Sequence, residues 1–259
     1  MNSLERSLVE KAGYDNGWER SSFDSDGNVV LASSRHGYSA LVRKGSHEAE
    51  WSVRFGAGFP LDELRRGLPA NAFSESEALP WDYQLLCALL RRAAELGIAI
   101  PDAPLAAFNK ELESTMAVEG ITKGTEAERL VKQRIGQNHY REALLSYWKG
   151  ACALTSVDIP DILRASHAKP WAECTSDSER LNVYNGFLLT ANIDALFDKA
   201  LISFSDEGEL LLSARVKEEQ FATLGLRPGM RLRWIDARHL PFLKWHREHL
   251  FMANFGNRN

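Results

Sequence analysis

Ala165-Ser166-His167-Ala168-Lys169-Pro170-Trp171, then Asn185-Gly186-Phe187-Leu188-Leu189, then Asn192-Ile193-Asp194-Ala195-Leu196-Phe197-Asp198, is the series that decides the reading of this chain. Leu163–His167 is short and strand-like, Phe187–Thr190 is a second short strand, and Ala191–Ala200 has helical spacing. The order is therefore strand, loop, strand, helix. Along it lie a potential base, His167, a carboxamide suited to fixing a loop, Asn185, and a carboxylate suited to a cation, Asp194.

Downstream, Leu201–Phe204 and Glu209–Ser213 read as a hairpin across Asp206-Glu207-Gly208, and Arg238–Phe251 as a helix. Upstream, Ala127–Lys149 has helical spacing in Leu130, Ile135, Leu144, Leu145 and Trp148; Gly136 is expected to break it and Gly150 to close it. Residues 115–125 carry Gly120 and Gly124 and little periodicity, which marks a linker. Before it, Ser3 is expected to cap a helix over residues 3–12, and Val29–Ser33, Tyr38–Arg43 and Glu50–Phe55 read as strands. Pro80 opens an apolar helix, Trp81–Leu96, that Gly97 is expected to stop, and Ala106–Ser114 reads as a further helix. The fold class is α+β. A small α+β domain over residues 1–115 precedes a linker, 116–126, and a second domain over 127–259.

The chain has 259 residues, 44% of them hydrophobic, enough for an ordinary core. No window is apolar for long enough to span a membrane. The opening Met1-Asn2-Ser3-Leu4-Glu5-Arg6 does not read as a secretory signal. Three widely spaced cysteines, Cys87, Cys152 and Cys174, suggest a reducing compartment, and a cytoplasmic location is expected. The net charge of −4 argues mildly against nucleic acid as a partner. Its distribution softens that, because residues 1–120 hold 12 Lys and Arg against 18 Asp and Glu, whereas 121–259 hold 19 against 17. Any electrostatic footprint for phosphate lies in the second half.

Residues 130 to 215 resemble the HNH endonuclease family, whose core is the ββα-metal fold. The resemblance rests on an ordered series: Arg134-Ile135-Gly136-Gln137, Tyr140-Arg141, Leu144-Leu145, Cys152-Ala153-Leu154-Thr155, Asn185 through Leu189, Asp194, Leu196-Phe197-Asp198 and Leu201-Ile202-Ser203-Phe204. It implies metal-dependent hydrolysis of DNA phosphodiesters. His167 would be the general base, Asn185 the residue that ties down the loop and orients that base, and Asp194 a ligand of one divalent cation, Mg²⁺ or Mn²⁺. A histidine suits proton abstraction near neutral pH, and carboxylates suit hard cations. No Cys-x-x-Cys pair is present, so no structural zinc is expected. Many family members carry Asp or His just before the base, where this chain has Ser166. Asp198, one turn after Asp194, and His246 are candidates for the missing ligand.

Arg134, Gln137, Arg141 and Lys169 are candidate contacts to DNA, or else ordinary helix-surface charges. Asn185-Gly186 is also a common turn dipeptide. Trp18, Phe23, Tyr38, Trp51, Phe55, Trp81 and Tyr83 could cage a flipped base, but such residues more often pack a core. The resulting expectation is an endonuclease, with a restriction role on modified DNA as a narrower form and a homodimer as a way to cut both strands. The alternatives are a non-catalytic nucleic-acid-binding or regulatory protein on the same fold, and a nuclease for RNA or single strands.

Overall fold

The computed structural model describes residues 1–46 and 49–251. Residues 252–259 of the expected second domain lie outside the described residues. The chain is mixed α and β with small sheets, and it divides into two compact units, residues 1–98 and 99 onward. That division falls ahead of the linker expected at 116–126, whose first four residues form the last turn of a helix.

The first unit runs α1 (Ser3–Asp15), β1 (Arg20–Phe23), β2 (Val29–Ala32), β3 (Ser39–Lys44), β4 (Trp51–Phe55), α2 (Leu61–Arg65) and α3 (Tyr83–Ala99). Asn2, not Ser3, caps α1: its Oδ1 accepts from Glu5 N at 2.9 Å, and the Glu5 carboxylate accepts from Asn2 N at 2.9 Å. The four strands form one antiparallel sheet in chain order. β2 and β3 bury alternate residues, Val29, Leu31, Ala40 and Val42, as a sheet covered on one face should. β1 is exposed at all four residues; its ladder pairs it with β2 only, and Ser21 Oγ also donates to Glu10 of α1 at 2.8 Å. Trp18 and Trp51 are core, and the Trp18 indole donates to Leu90 O at 2.9 Å. Gly97 does not stop α3, which runs on to Ala99. It is there because the His36 ring lies against it; a Cβ would sit 2.8 Å from His36 Cγ.

The second unit runs α4 (Ala103–Glu119), α5 (Glu126–Tyr147), β5 (Leu163–His167), α6 (Asp177–Arg180), β6 (Gly186–Thr190), α7 (Ala191–Asp198), β7 (Ile202–Phe204), β8 (Leu210–Leu212) and α8 (Leu240–His246). β5 pairs antiparallel with β6, and β7 with β8. α5 is a single helix of 22 residues, capped by Thr125, whose Oγ1 accepts from Glu128 N at 3.2 Å. Gly136 does not break it; Trp171 rests there, and a Cβ would meet its Cη2 at 2.4 Å. β6 is buried at every residue, between α5 and α7. The helix expected over Arg238–Phe251 changes pitch along its length: a 3₁₀ turn over Ala237–His239, then α8, then a π turn over Arg247–Phe251. Among the described residues no helix is long and apolar enough to cross a membrane.

Candidate active site

β5 delivers Ser166 and His167 at its end, opposite Phe187 and Gly186 of β6. α7 follows β6 without a loop and packs against β5. That turn brings Asp194 and Asp198 back to Ser166. The Ser166 hydroxyl, on a buried residue, donates to Asp198 Oδ1 at 3.4 Å and also acts on Asp194. Burial first raises the pKa of Asp194, with Ser166 and Arg164 opposing. Asp198 keeps solvent contact, yet the protein beneath its carboxyl raises its pKa too, and repulsion from Asp194 adds to this. Among the described residues neither carboxylate has an ion pair, and the charges of Arg164 and Lys199 only partly offset the burial.

His167 is half-buried and tightly held. Its ring stacks on Tyr140 with centroids 3.8 Å apart and meets the edge of Trp171 at 5.9 Å. Its Nε2 lies 2.8 Å from Arg180 O. A carbonyl oxygen only accepts, so Nε2 carries the proton and Nδ1 keeps its lone pair. Nδ1 has no partner among the described residues. Burial lowers the pKa from the ordinary 6.5 to about 4, so the ring is neutral at neutral pH.

Asn185 is fully buried and knots the loop between the strands. Oδ1 accepts from Lys169 N at 2.8 Å, and Nδ2 donates to Lys169 O at 3.1 Å and Glu179 O at 3.2 Å. Its carbonyl accepts from the Tyr140 hydroxyl at 2.9 Å. Gly186 is a close-approach glycine: a Cβ there would lie 2.0 Å from Ser166 O and 2.1 Å from Tyr140 Oη. Tyr140 thus supports both the base and the knot, a role that sequence reading did not assign. The only sign of it was its place in the series resembling the family.

A cavity of about 340 Å³ is walled by Ser166, His167, Trp171, Asp198, Lys199 and His246, among others. Both ring nitrogens of His246 are engaged within the protein. Its Nε2 donates to Phe197 O at 3.2 Å, its Nδ1 accepts from Ser203 Oγ at 3.0 Å, and burial lowers its pKa to about 4. Lys169 pairs with Glu179 at 2.7 Å, and Arg141 donates to Leu163 O at 2.7 Å and Pro160 O at 2.9 Å. Both fix the scaffold around β5. Arg134 and Gln137 are exposed on α5. Among the described residues there is no group of three or more His, Cys, Asp or Glu placed to hold a metal.

Residues 152–205 match the family model of the HNH endonucleases. The C-terminal half carries an HNH domain. The match begins at Cys152 and ends just past β7, so it spans β5, β6 and α7. No curated protein matches the chain. The HNH family is one of nucleases, and nucleic acid is the class of substrate it implies.

Proposed function

We propose that the chain is a metal-dependent endonuclease that hydrolyses DNA phosphodiester bonds. The observation that carries this reading is the state of His167: a neutral, oriented ring with a free Nδ1 in the wall of the cavity that Asp198 also lines. His167 Nδ1 takes the proton of the attacking water as the new O–P bond forms. The P–O3′ bond breaks, and the leaving oxygen takes a proton from solvent. The products are a 5′-phosphate and a 3′-hydroxyl. Asn185 and Tyr140 hold the base in place through the loop and the stacked ring.

The donor set fits a hard divalent cation. Asp194 and Asp198 offer carboxylate oxygens one turn apart, and their mutual repulsion favours a positive charge beside them. Mg²⁺ accepts one or two carboxylates and completes its shell with water and phosphate oxygens. When bound, such an ion stabilises charge on the phosphate and the leaving oxygen. Ser166 steadies the carboxylates where other family members carry a ligand.

Arg134 and Gln137, exposed on α5, contact the DNA backbone in this reading. The first unit selects the target, which makes restriction of modified DNA the narrower form of the proposal, and a homodimer would allow both strands to be cut. Cleavage assays on unmodified and base-modified duplexes, single strands and RNA test it. Metal-dependent cutting of duplex DNA supports the reading. No cutting of any substrate by a protein that still binds DNA points to a binding role instead.

A further inference from the structure

A second cavity, of about 190 Å³, lies within the first unit. Asn16 and Gly17 after α1, Arg35 and His36 between β2 and β3, and Arg91 on α3 contribute to its wall. His36 is only 7% exposed, and among the described residues neither ring nitrogen meets a partner at full hydrogen-bond geometry, the backbone of Tyr38 acting on it only weakly. Buried polar atoms in native proteins are nearly always hydrogen-bonded. The ring is locked in place: its edge meets Trp18 at 4.7 Å, and Gly97 leaves the room it occupies. Burial lowers its pKa; the Glu19 charge opposes this, Arg35 adds a smaller lowering, and the Tyr38 backbone opposes weakly.

Asn16 is a second buried polar side chain at the cavity, 6% exposed. Its Nδ2 donates to Ala12 O at 2.8 Å, and its Oδ1 accepts from Arg91 Nε at 3.0 Å. Arg91 is thereby oriented through Nε, while its two terminal amino groups have no partner among the described residues. The Arg35 side chain has no ion pair among the described residues either. The acids of the wall do not cancel these charges. Asp15 pairs with Lys11 at 2.6 Å, and Glu95 with Arg92 at 3.0 Å.

Two guanidinium groups without an ion pair among the described residues, beside a ring that can donate one N–H, suit a dianion with several acceptor oxygens. We propose that this cavity binds a phosphomonoester group. A track for a nucleic-acid backbone does not fit, because residues 1–98 hold 11 Lys and Arg against 14 Asp and Glu and the cavity is compact. The phosphoryl group is that of a free nucleotide or of a 5′-phosphorylated chain end, the kind of end the proposed cleavage would leave.

The test is calorimetric titration of the full chain in chelator, so that the nuclease site holds no cation. The probes are inorganic phosphate, a nucleoside 5′-monophosphate, its parent nucleoside, and a short oligonucleotide with either a 5′-phosphate or a 5′-hydroxyl. Arg91→Gln and Arg35→Gln alter exposed side chains, and unfolding midpoints equal to wild type establish that they fold. The monophosphate should bind and the nucleoside should not, and Arg91→Gln should weaken binding at least tenfold. NMR of the wild type should show the His36 ring signals shifting on titration. Binding by the monophosphate alone would name a free nucleotide as the source. Added binding by the 5′-phosphorylated strand, but not by its 5′-hydroxyl twin, would name a chain end. Either supports the proposal. No binding by any phosphomonoester overturns it, as does binding that both variants leave unchanged, or equal binding of the monophosphate and its parent nucleoside.

Discussion

The state of His167 is set by residues distant from it in sequence: the face of Tyr140, the edge of Trp171 and the carbonyl of Arg180. Because Nε2 is fixed as the donor, the account needs Nδ1 as base, and His167→Ala should slow cleavage by about 10²- to 10⁴-fold with folding retained. Steady-state rates beside a thermal melt check this. The ring should titrate near pH 4 and not near 6.5, since burial disfavours its charged form. Histidine ring NMR reads that midpoint directly, and a value near 6.5 would remove the basis for a neutral, shielded base. Tyr140→Phe keeps the stacked ring but deletes the hydroxyl that donates to Asn185 O at 2.9 Å. Its expected cost is about 0.5–1.5 kcal/mol of stability, because Asn185 O loses one hydrogen bond but keeps that from Ala168 N, together with a lower kcat. Asp198→Asn should weaken Mn²⁺ binding, read by electron paramagnetic resonance, whereas His246→Gln should leave it unchanged unless the protein unfolds.

Among the elements, what local chemistry signals was legible and what depends on a distant neighbour was not. β2 and β3 show in their apolar alternation, and β5 lies over Leu163–His167 as its residues suggest. β1, Arg-Ser-Ser-Phe, has no apolar rhythm because it buries nothing, so only its ladder to β2 makes it a strand. Gly97 and Gly136 read as helix breakers, yet each is a seat for a bulky ring, His36 or Trp171, from another element. The loss of helix propensity, about 1 kcal/mol at each, is accepted for that close approach. At the site, the order His167, Asn185, Asp194 was legible. The engagement of His246 by Ser203 and Phe197 was not, since it appears only once α8 packs against β7 and α7. These glycines carry a prediction. Gly186→Ala must push a methyl into Ser166 O and Tyr140 Oη, so it should destabilise the β5–β6 pair by about 3 kcal/mol or more. Gly136→Ala meets only the end of the Trp171 ring and should cost about 1–3 kcal/mol. Denaturant unfolding of both variants checks the order.

For the whole molecule, histidines with depressed pKa values, His36, His167 and His246, link stability to acid. His167 and His246 stay neutral in the folded protein down to about pH 4, whereas in the unfolded chain they take up protons near 6.5. Their contribution is complete above pH 6.5, falls as the pH drops from 6.5 to about 4, and is gone below that. It amounts to about 3 kcal/mol for His246, and less for His167 because its ring partly meets solvent. Unfolding free energies at pH 7 and 4.5 should therefore differ by several kcal/mol, and His246→Gln should flatten the slope. The charge of the chain is likewise uneven, with the acidic excess in its first 120 residues, so nucleic-acid affinity should reside in the second half and fall with salt. The central claim is that His167 works as the base of a metal-dependent DNA nuclease. The most direct measurement is cleavage of duplex DNA with Mg²⁺ or Mn²⁺ by wild type and His167→Ala side by side. The account predicts cutting by the wild type that chelator abolishes and a loss of at least a hundredfold in the variant; equal cutting by both proteins, or cutting that persists in chelator, would contradict it.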